Sequence, residues 1–418
     1  MKNNSTQKNI PSGWKILPIG KHIKLQGGNA FSASNYVAEG IPLVRIGNVG
    51  KGDFVADDFV YISKNEHENN EPVHLRDNDI LMGMTGELGK VARIKKHHLP
   101  ALLNQRVGRV LFKDKEIDPD FTFQIFLSDD FKSKLEKYFI GAAQKNISSS
   151  QVESVEILLP PINEQQKIAE ILGAVDEDIA KTQEVIEATE KLKRGLMQQL
   201  FTRGIGHTKF KETKIGNIPL EWEELVFGDV VKKANQGVNT TTEKVYYSVS
   251  GISVLRSNNI YENYISYSDI KYVDSETFER LSDNCKPQKG DILYCNIGSA
   301  MGSASILERD EEVLINWNIF RIQVNKEKVT NKYLAYFLNY SREIIRKNAT
   351  RSTMPFIPAG TLMKMGIAVP KIEEQKQIAE ILSAVDEKIS VNKKLKEKLT
   401  LLKKGLMQDL LSGSVRTK

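Results

Sequence analysis

Few residues in this chain are typed and spaced for reaction chemistry. Gly83 to Lys90 has the glycines and lysine of a phosphate-cradling loop, but one residue too many separates the glycines. Val91 stands where a magnesium-binding hydroxyl should follow. Asp118-Pro119-Asp120-Phe121 has the outline of a loop that closes on an extruded base, without the second proline that shapes such a loop. Asp79, Glu87 and Lys90 share the residue types of a nuclease triad, yet the Glu-to-Lys spacing is wrong. His97-His98 adjoins Lys95 and Lys96 with no carboxylate at ligand spacing, and reads as a basic turn. Cys285 and Cys295 have no metal-type pair spacing and cannot make a disulfide framework. No glycine-rich turn follows a strand to hold a methyl donor. The sequence argues for binding rather than turnover.

At 418 residues the chain is too long for one core. Its 40% apolar and 27% charged residues are those of a globular protein. No apolar run approaches the roughly 20 residues that span a bilayer, and Met1 to Asn9 lacks the apolar stretch of a secretory signal. A reducing cytoplasm is the expected compartment, with no membrane partner. The net charge of +6 is compatible with a polyanion partner but does not require one.

The elements that would position any functional side chain are written twice. Ile168-Ala169-Glu170-Ile171-Leu172 recurs as Ile378-Ala379-Glu380-Ile381-Leu382, Ala174 to Glu177 as Ala384 to Glu387, and Gly195 to Gln198 as Gly405 to Gln408, each at an offset of 210. Fainter echoes lie upstream: Ile10-Pro11 with Trp14 and Ile218-Pro219 with Trp222, Arg45 with Asn48 and Arg256 with Asn259, Asp79-Ile80-Leu81 and Asp291-Ile292-Leu293, Asn104 and Asn316. Each repeat is large enough for a folded domain plus a helix.

Helix signals mark the strong repeats. Apolar residues recur at three- and four-residue steps through Ile168, Leu172, Val175, Ile179, Val185, Leu192, Leu196 and Leu200, and again from Ile378 to Leu410. Each helix should start near Glu164 or Glu374, after Pro160-Pro161 or Pro370, and run some 37 residues, roughly 55 Å. Thr182 and Asn392 interrupt the stripe at equivalent places. A rod with one apolar stripe needs a partner helix, and the other copy, antiparallel, is the expected one. Residues 164–201 hold 5 Lys/Arg against 8 Asp/Glu, residues 374–411 hold 8 against 6, so the charges differ in sign. The segments between carry strand-like runs such as Val107 to Phe112 and Ile319 to Val324, and one short helix per copy, from Phe121 to Tyr138 and Lys332 to Arg346.

Ile157-Leu158-Leu159-Pro160-Pro161-Ile162-Asn163-Glu164-Gln165, running into Ile168 to Leu172, resembles a segment of the specificity subunits of Type I restriction–modification enzymes. So does Ala368-Val369-Pro370-Lys371-Ile372-Glu373-Glu374-Gln375, with Lys371 where the first copy has a second proline. Two such matches, each after a domain-sized segment and before a long helix, are specific.

The resemblance implies a mixed α/β (α+β) fold. Two target recognition domains, each similar to the small domain of an adenine methyltransferase, are joined by two long antiparallel coiled-coil helices as a pseudo-twofold internal repeat. The bounds are 1–157 for the first domain, 158–203 for the first helix, 204–216 for a linker, 217–367 for the second domain and 368–418 for the second helix. It implies double-stranded DNA as ligand, read as a split sequence whose unread spacer the helices measure. It also implies two methyltransferase subunits and two translocase–nuclease subunits as partners. S-adenosylmethionine, ATP and magnesium then belong to those partners, with no cofactor, metal or catalytic residue in this chain. Two other readings stay open: a recognition module borrowed by another modification system, and a coiled-coil assembly protein without a nucleic-acid role.

Base edges are read by Arg, Lys, Asn, Gln and hydroxyl side chains on exposed loops. Arg45, Asn48, Thr85, Lys90, Gln144, Lys145 and Asn146 qualify in the first domain. Arg256, Asn258, Asn259, Asn296, Ser299, Arg351 and Ser352 qualify in the second. Each can instead hold a turn or grip a phosphate, and residues common to both copies, such as Arg45 and Arg256, suit phosphate better. Equivalent partner subunits need equivalent docking sites, which points to Glu164, Gln165, Ile168, Gly195, Leu196 and Met197, with Glu374, Gln375, Ile378, Gly405, Leu406 and Met407. These can also merely pack helix on helix.

Overall fold

The computed structural model describes residues 10–87, 89–139, 146–350 and 355–417. Gln144, Lys145, Arg351 and Ser352 lie outside the described residues. The chain forms two compact units, residues 1–183 with 394–418 and residues 184–393.

In the first unit an antiparallel sheet orders Ile23–Gly27, Val107–Phe112, Ile80–Gly83 and Val91–Arg93. The second unit repeats it with Val231–Gln236, Ile319–Val324, Ile292–Cys295 and Ala304–Ile306. A smaller sheet accompanies each, and in both its last strand, Leu102–Leu103 or Val313–Ile315, pairs parallel. The central strands are apolar on both faces, as sheets covered on both sides require. One charge interrupts each core. Arg109 is buried beside Asp79 at 3.3 Å, and Arg321 beside Asp291 at 2.5 Å. A buried charge is tolerated only when paired, so Asp79 is half of a structural ion pair, not part of a nuclease triad. Both cysteines are free and buried, and burial pushes the Cys295 thiol up to about 12.

The long helices span Ile162–Thr202 and Ile372–Ser412, 41 residues each, roughly 60 Å at 1.5 Å per residue. Each unit buries the start of one helix and the end of the other: Ile168, Ala169 and Leu172 with Leu410 in the first core, Ile378, Ala379 and Leu382 with Leu200 and Phe201 in the second. Within the first unit Lys403 pairs with Asp176 at 2.6 Å and Lys396 donates to Gln183 at 2.8 Å, so the two helix segments run antiparallel. Lys193 with Asp386 at 2.6 Å and Lys393 with Glu190 at 2.7 Å give the same direction in the second unit.

Three expectations are corrected. Val185 and Leu192 are exposed, at 41% and 55%, while Thr182, Ile186 and Thr189 are buried. The threonine hydroxyls donate to the carbonyls of Asp178 and Val185 four residues back, which satisfies them without a partner outside the helix. The segments Phe121 to Tyr138 and Lys332 to Arg346 are each two helices, Pro119–Leu127 with Asp129–Glu136 and Asn331–Tyr340 with Arg342–Lys347; in the first copy extended Ser128 caps the second helix by accepting from the Phe131 amide. The linker into the second copy contains a strand, Phe210–Thr213, paired in a hairpin with Gly216–Pro219.

Candidate nucleic-acid interface

The two ends of each four-stranded sheet differ. One end is anchored by a long helix through its first turn. Gln165 is wholly buried; its amide oxygen accepts from the Asp118 backbone at 2.8 Å, and its nitrogen donates to the carbonyls of Glu116 and Pro160. Gln375 repeats this with the Thr330 amide and the carbonyls of Lys328 and Pro370. Glu164, also buried, accepts from the Trp14 indole at 3.0 Å and from Arg416 at 2.7 and 2.9 Å. The Arg416 guanidinium holds its carboxyl below the usual range, and the indole adds to the effect. Glu374 takes the same place in the second unit, accepting from Trp222, His207 and the Ile205 amide.

The opposite end carries loops. In the first unit the turn 104–106 enters the strand Val107–Phe112 and lies against two others. Gln105 donates its amide to the Asn29 carbonyl at 2.8 Å, Met84 donates to Arg106, and Ile147 to Met84, at 3.0 and 2.9 Å. The second unit has the same zipper: Asn296 donates to Asn318 at 3.2 Å and Ile357 to Asn296 at 2.9 Å. Gly28 and Gly237 allow this closeness, since a Cβ there would sit 2.2 Å from the Leu103 or Asn316 carbonyl oxygen.

This arrangement brings several expected residues together. Thr85 bridges Asn146 directly, and Lys90 follows on the same loop, whose Glu87 pairs with Lys51 at 2.6 Å. Ser299 is exposed on the matching loop, which bridges Phe356 through Ile297. Asn258 is exposed on a separate turn.

Others are held by bonds within the fold. Asn48 and Asn259 are buried at 2% and 0% exposure. The Asn48 oxygen accepts from the Arg45 amide, and its nitrogen donates to the carbonyls of Val55 and Asp57, all at 3.0 Å. Asn259 repeats the pattern with Arg256, Ser266 and Ser268. They lock a turn and have no edge left for a base. Arg45 and Arg256 lie on that turn, bonded to the carbonyls of Asp58 and Asp269, and Arg256 also to the Asp269 carboxylate at 3.0 Å. Asn296 is buried and accepts from Gln236.

The docking set divides likewise. Glu164, Gln165, Ile168, Gln375 and Ile378 are buried, and Glu374 nearly so, because they anchor each helix to its own domain. Met197 is buried, and Leu196, Leu406 and Met407 are half-buried. Gly195 and Gly405 remain exposed. Sequence reasoning missed the exposed apolar pairs beside them, Val185 with Leu192 and Leu395 with Leu402, at equivalent positions and matching exposures of 41, 55, 44 and 52%. It also missed Gln105, Arg106 and Trp317, all exposed on the turn into the central strand. The signal was there: Asn104 and Asn316 match, and the residues after them do not.

Two domains of one fold, each ending in polar loops on a rigid sheet, define a duplicated recognition protein. The family model described as the Type I restriction modification DNA specificity domain matches residues 11–190 and again 219–401. The chain belongs to this family of Type I restriction–modification DNA-specificity proteins. It is 28% identical over 98% of its length to the putative Type I restriction enzyme MjaX specificity subunit of Methanocaldococcus jannaschii, covering 95% of that protein. Its fold is similar to the Type I restriction–modification S subunit from M. genitalium, with a TM-score of 0.60, 17% identity and 98% of each chain covered. It also resembles a chain from a structural study of complex assembly and conformational transition in the Type I system, with a TM-score of 0.56, 16% identity and 97% and 99% coverage.

Proposed function

We propose that this chain gives a Type I restriction–modification assembly its DNA sequence, each domain reading one half of a split target in duplex DNA through its loop end. The observation that carries this is the pair of loop zippers with matching hydrogen bonds and different side chains: half-buried Thr85 and Lys90 with exposed Gln105, Arg106 and Asn146 in one, exposed Ser299 and Trp317 in the other. A shared scaffold with unlike tips is what two halves of an asymmetric target require. The long helices act as an antiparallel coiled coil that sets the unread spacer, since two readers on one duplex must match its helical repeat, roughly 34 Å. Two methyltransferase subunits dock on the repeated apolar pairs Val185–Leu192 and Leu395–Leu402, and two translocase–nuclease subunits join that complex. S-adenosylmethionine, ATP and magnesium are held by those partners. A cytoplasmic setting accords with this role.

The test is a hybrid in which residues 217–367 are replaced by those of a relative with a different target, co-expressed with the methyltransferase subunits. One half of the methylated sequence should change while the other half and the gap persist. A hybrid that alters both halves, or neither, contradicts the assignment of one half to each domain.

A further inference from the structure

We infer that the turn entering the central strand is a specificity element in both domains, with Trp317 reading an A·T pair by apolar contact where Gln105 and Arg106 read a purine by hydrogen bonds. The inference rests on the DNA-reading role proposed above and names residues within it.

The two turns share one backbone. Asn104 and Asn316 donate their amides to Val44 and Leu255, at 3.1 and 3.0 Å. Val107 and Ile319 close the turns by donating to Asn104 and Asn316, both at 3.0 Å. Gly28 and Gly237 donate to Val107 and Ile319 at 3.2 and 3.0 Å, and each abuts the turn so closely that no side chain fits. The turn is therefore fixed from three sides before any ligand arrives. Its backbone in the second domain is held further by the Gln236 side chain, which donates to the Trp317 carbonyl and reaches Asn296.

Only the tips differ. Gln105 and Arg106 are both exposed, and among the described residues the Arg106 guanidinium has no ion-pair partner. The two side chains suit the acceptor and donor edges of adenine or guanine in the major groove. Trp317 is 47% exposed, unlike Trp14 and Trp222, which are buried and hydrogen-bonded to Glu164 and Glu374. Its indole cannot make a two-point contact with a base edge. It offers an apolar plane and one N–H, and the matching feature of the major groove is the thymine methyl group. A large aromatic held half in water on a rigid turn, beside the exposed Ser299 loop, is placed for a ligand rather than for the core.

The experiment uses the full chain co-expressed with its methyltransferase subunits, with methylated adenines mapped across the host genome. Trp317→Ala should lower selection at one A·T position by about tenfold or more, in one half of the target only. Arg106→Ala should relax one position in the other half. Trp317→Phe keeps the apolar plane and should retain the wild-type preference. Loss of the preference in Trp317→Phe, assembled as well as wild type, overturns apolar reading, and this variant carries the test if the alanine form does not assemble. An unchanged target in an assembled Trp317→Ala, relaxation at a G·C pair, or uniform fading of both halves also overturns the inference. Absence of any split target with the wild-type chain would instead defeat the DNA-reading role itself.

Discussion

Replacing Glu164 with alanine tests how each recognition domain is fastened to its helix. The carboxylate side chain is 8% exposed and accepts three hydrogen bonds, one from Trp14 and two from Arg416. Trp14 is itself 6% exposed, so Glu164→Ala leaves its N–H buried without an acceptor, at a cost of about 1–3 kcal/mol. Arg416 is 37% exposed and returns to water, so it adds little to that cost. The expected loss is about 2–3 kcal/mol, or a fall of roughly 4–12 °C in the first unit's transition by calorimetry. Glu164→Gln keeps an acceptor for the indole and should cost less than half as much. Because its folded pKa is depressed, chiefly by Arg416, the carboxylate's contribution is complete above the ordinary carboxylate range. It fades as pH falls through the folded value, so wild type and Glu164→Gln should converge in acid. A loss under about 0.5 kcal/mol for Glu164→Ala, or a gap that widens in acid, would mean that Glu164 does not fasten the domain to its helix.

Glu374→Ala should be at least as damaging in the second unit by calorimetry, since it strands Trp222, buried at 1% exposure, together with His207. Asn259→Ala should cost about 2–3 kcal/mol in chemical denaturation by opening the Arg256 turn, yet leave the selected bases unchanged in methylation mapping. Gly237→Ala should destabilise by about 1–3 kcal/mol and relax one half of the target, because its Cβ would displace the turn carrying Trp317. Leu192→Glu and Leu402→Glu should leave the melting temperature unchanged, each losing one of two bound methyltransferase copies by light scattering, with the double variant losing both.

The duplication and the long helices were legible because they rest on long-period signals. A 210-residue offset, prolines before each start and a long apolar period with no proline inside it survive any error in local detail. Which helix face is buried was less legible, because Thr182 and Thr189 conceal their polarity by bonding back to their own helix. The loop residues qualify by chemical type and by the turn-like segments they sit on, and neither reports burial. Asn48 and Asn259 have good base-reading amides but spend them on a turn that both copies need. Their identity across the repeat was the available warning, just as the divergence after Asn104 and Asn316 marked the residues free to differ. The buried pairs Arg109–Asp79 and Arg321–Asp291 were legible only as an echoed Asp-Ile-Leu, since the arginines follow 30 residues later on another strand.

The most direct test of the two-domain reading is co-expression of the chain with its methyltransferase subunits, followed by genome-wide mapping of methylated adenines. That reading requires a split sequence with a gap of fixed length, present only with this chain and changed in length when a heptad is removed from each long helix. A single continuous sequence, or a gap indifferent to helix length, would contradict it.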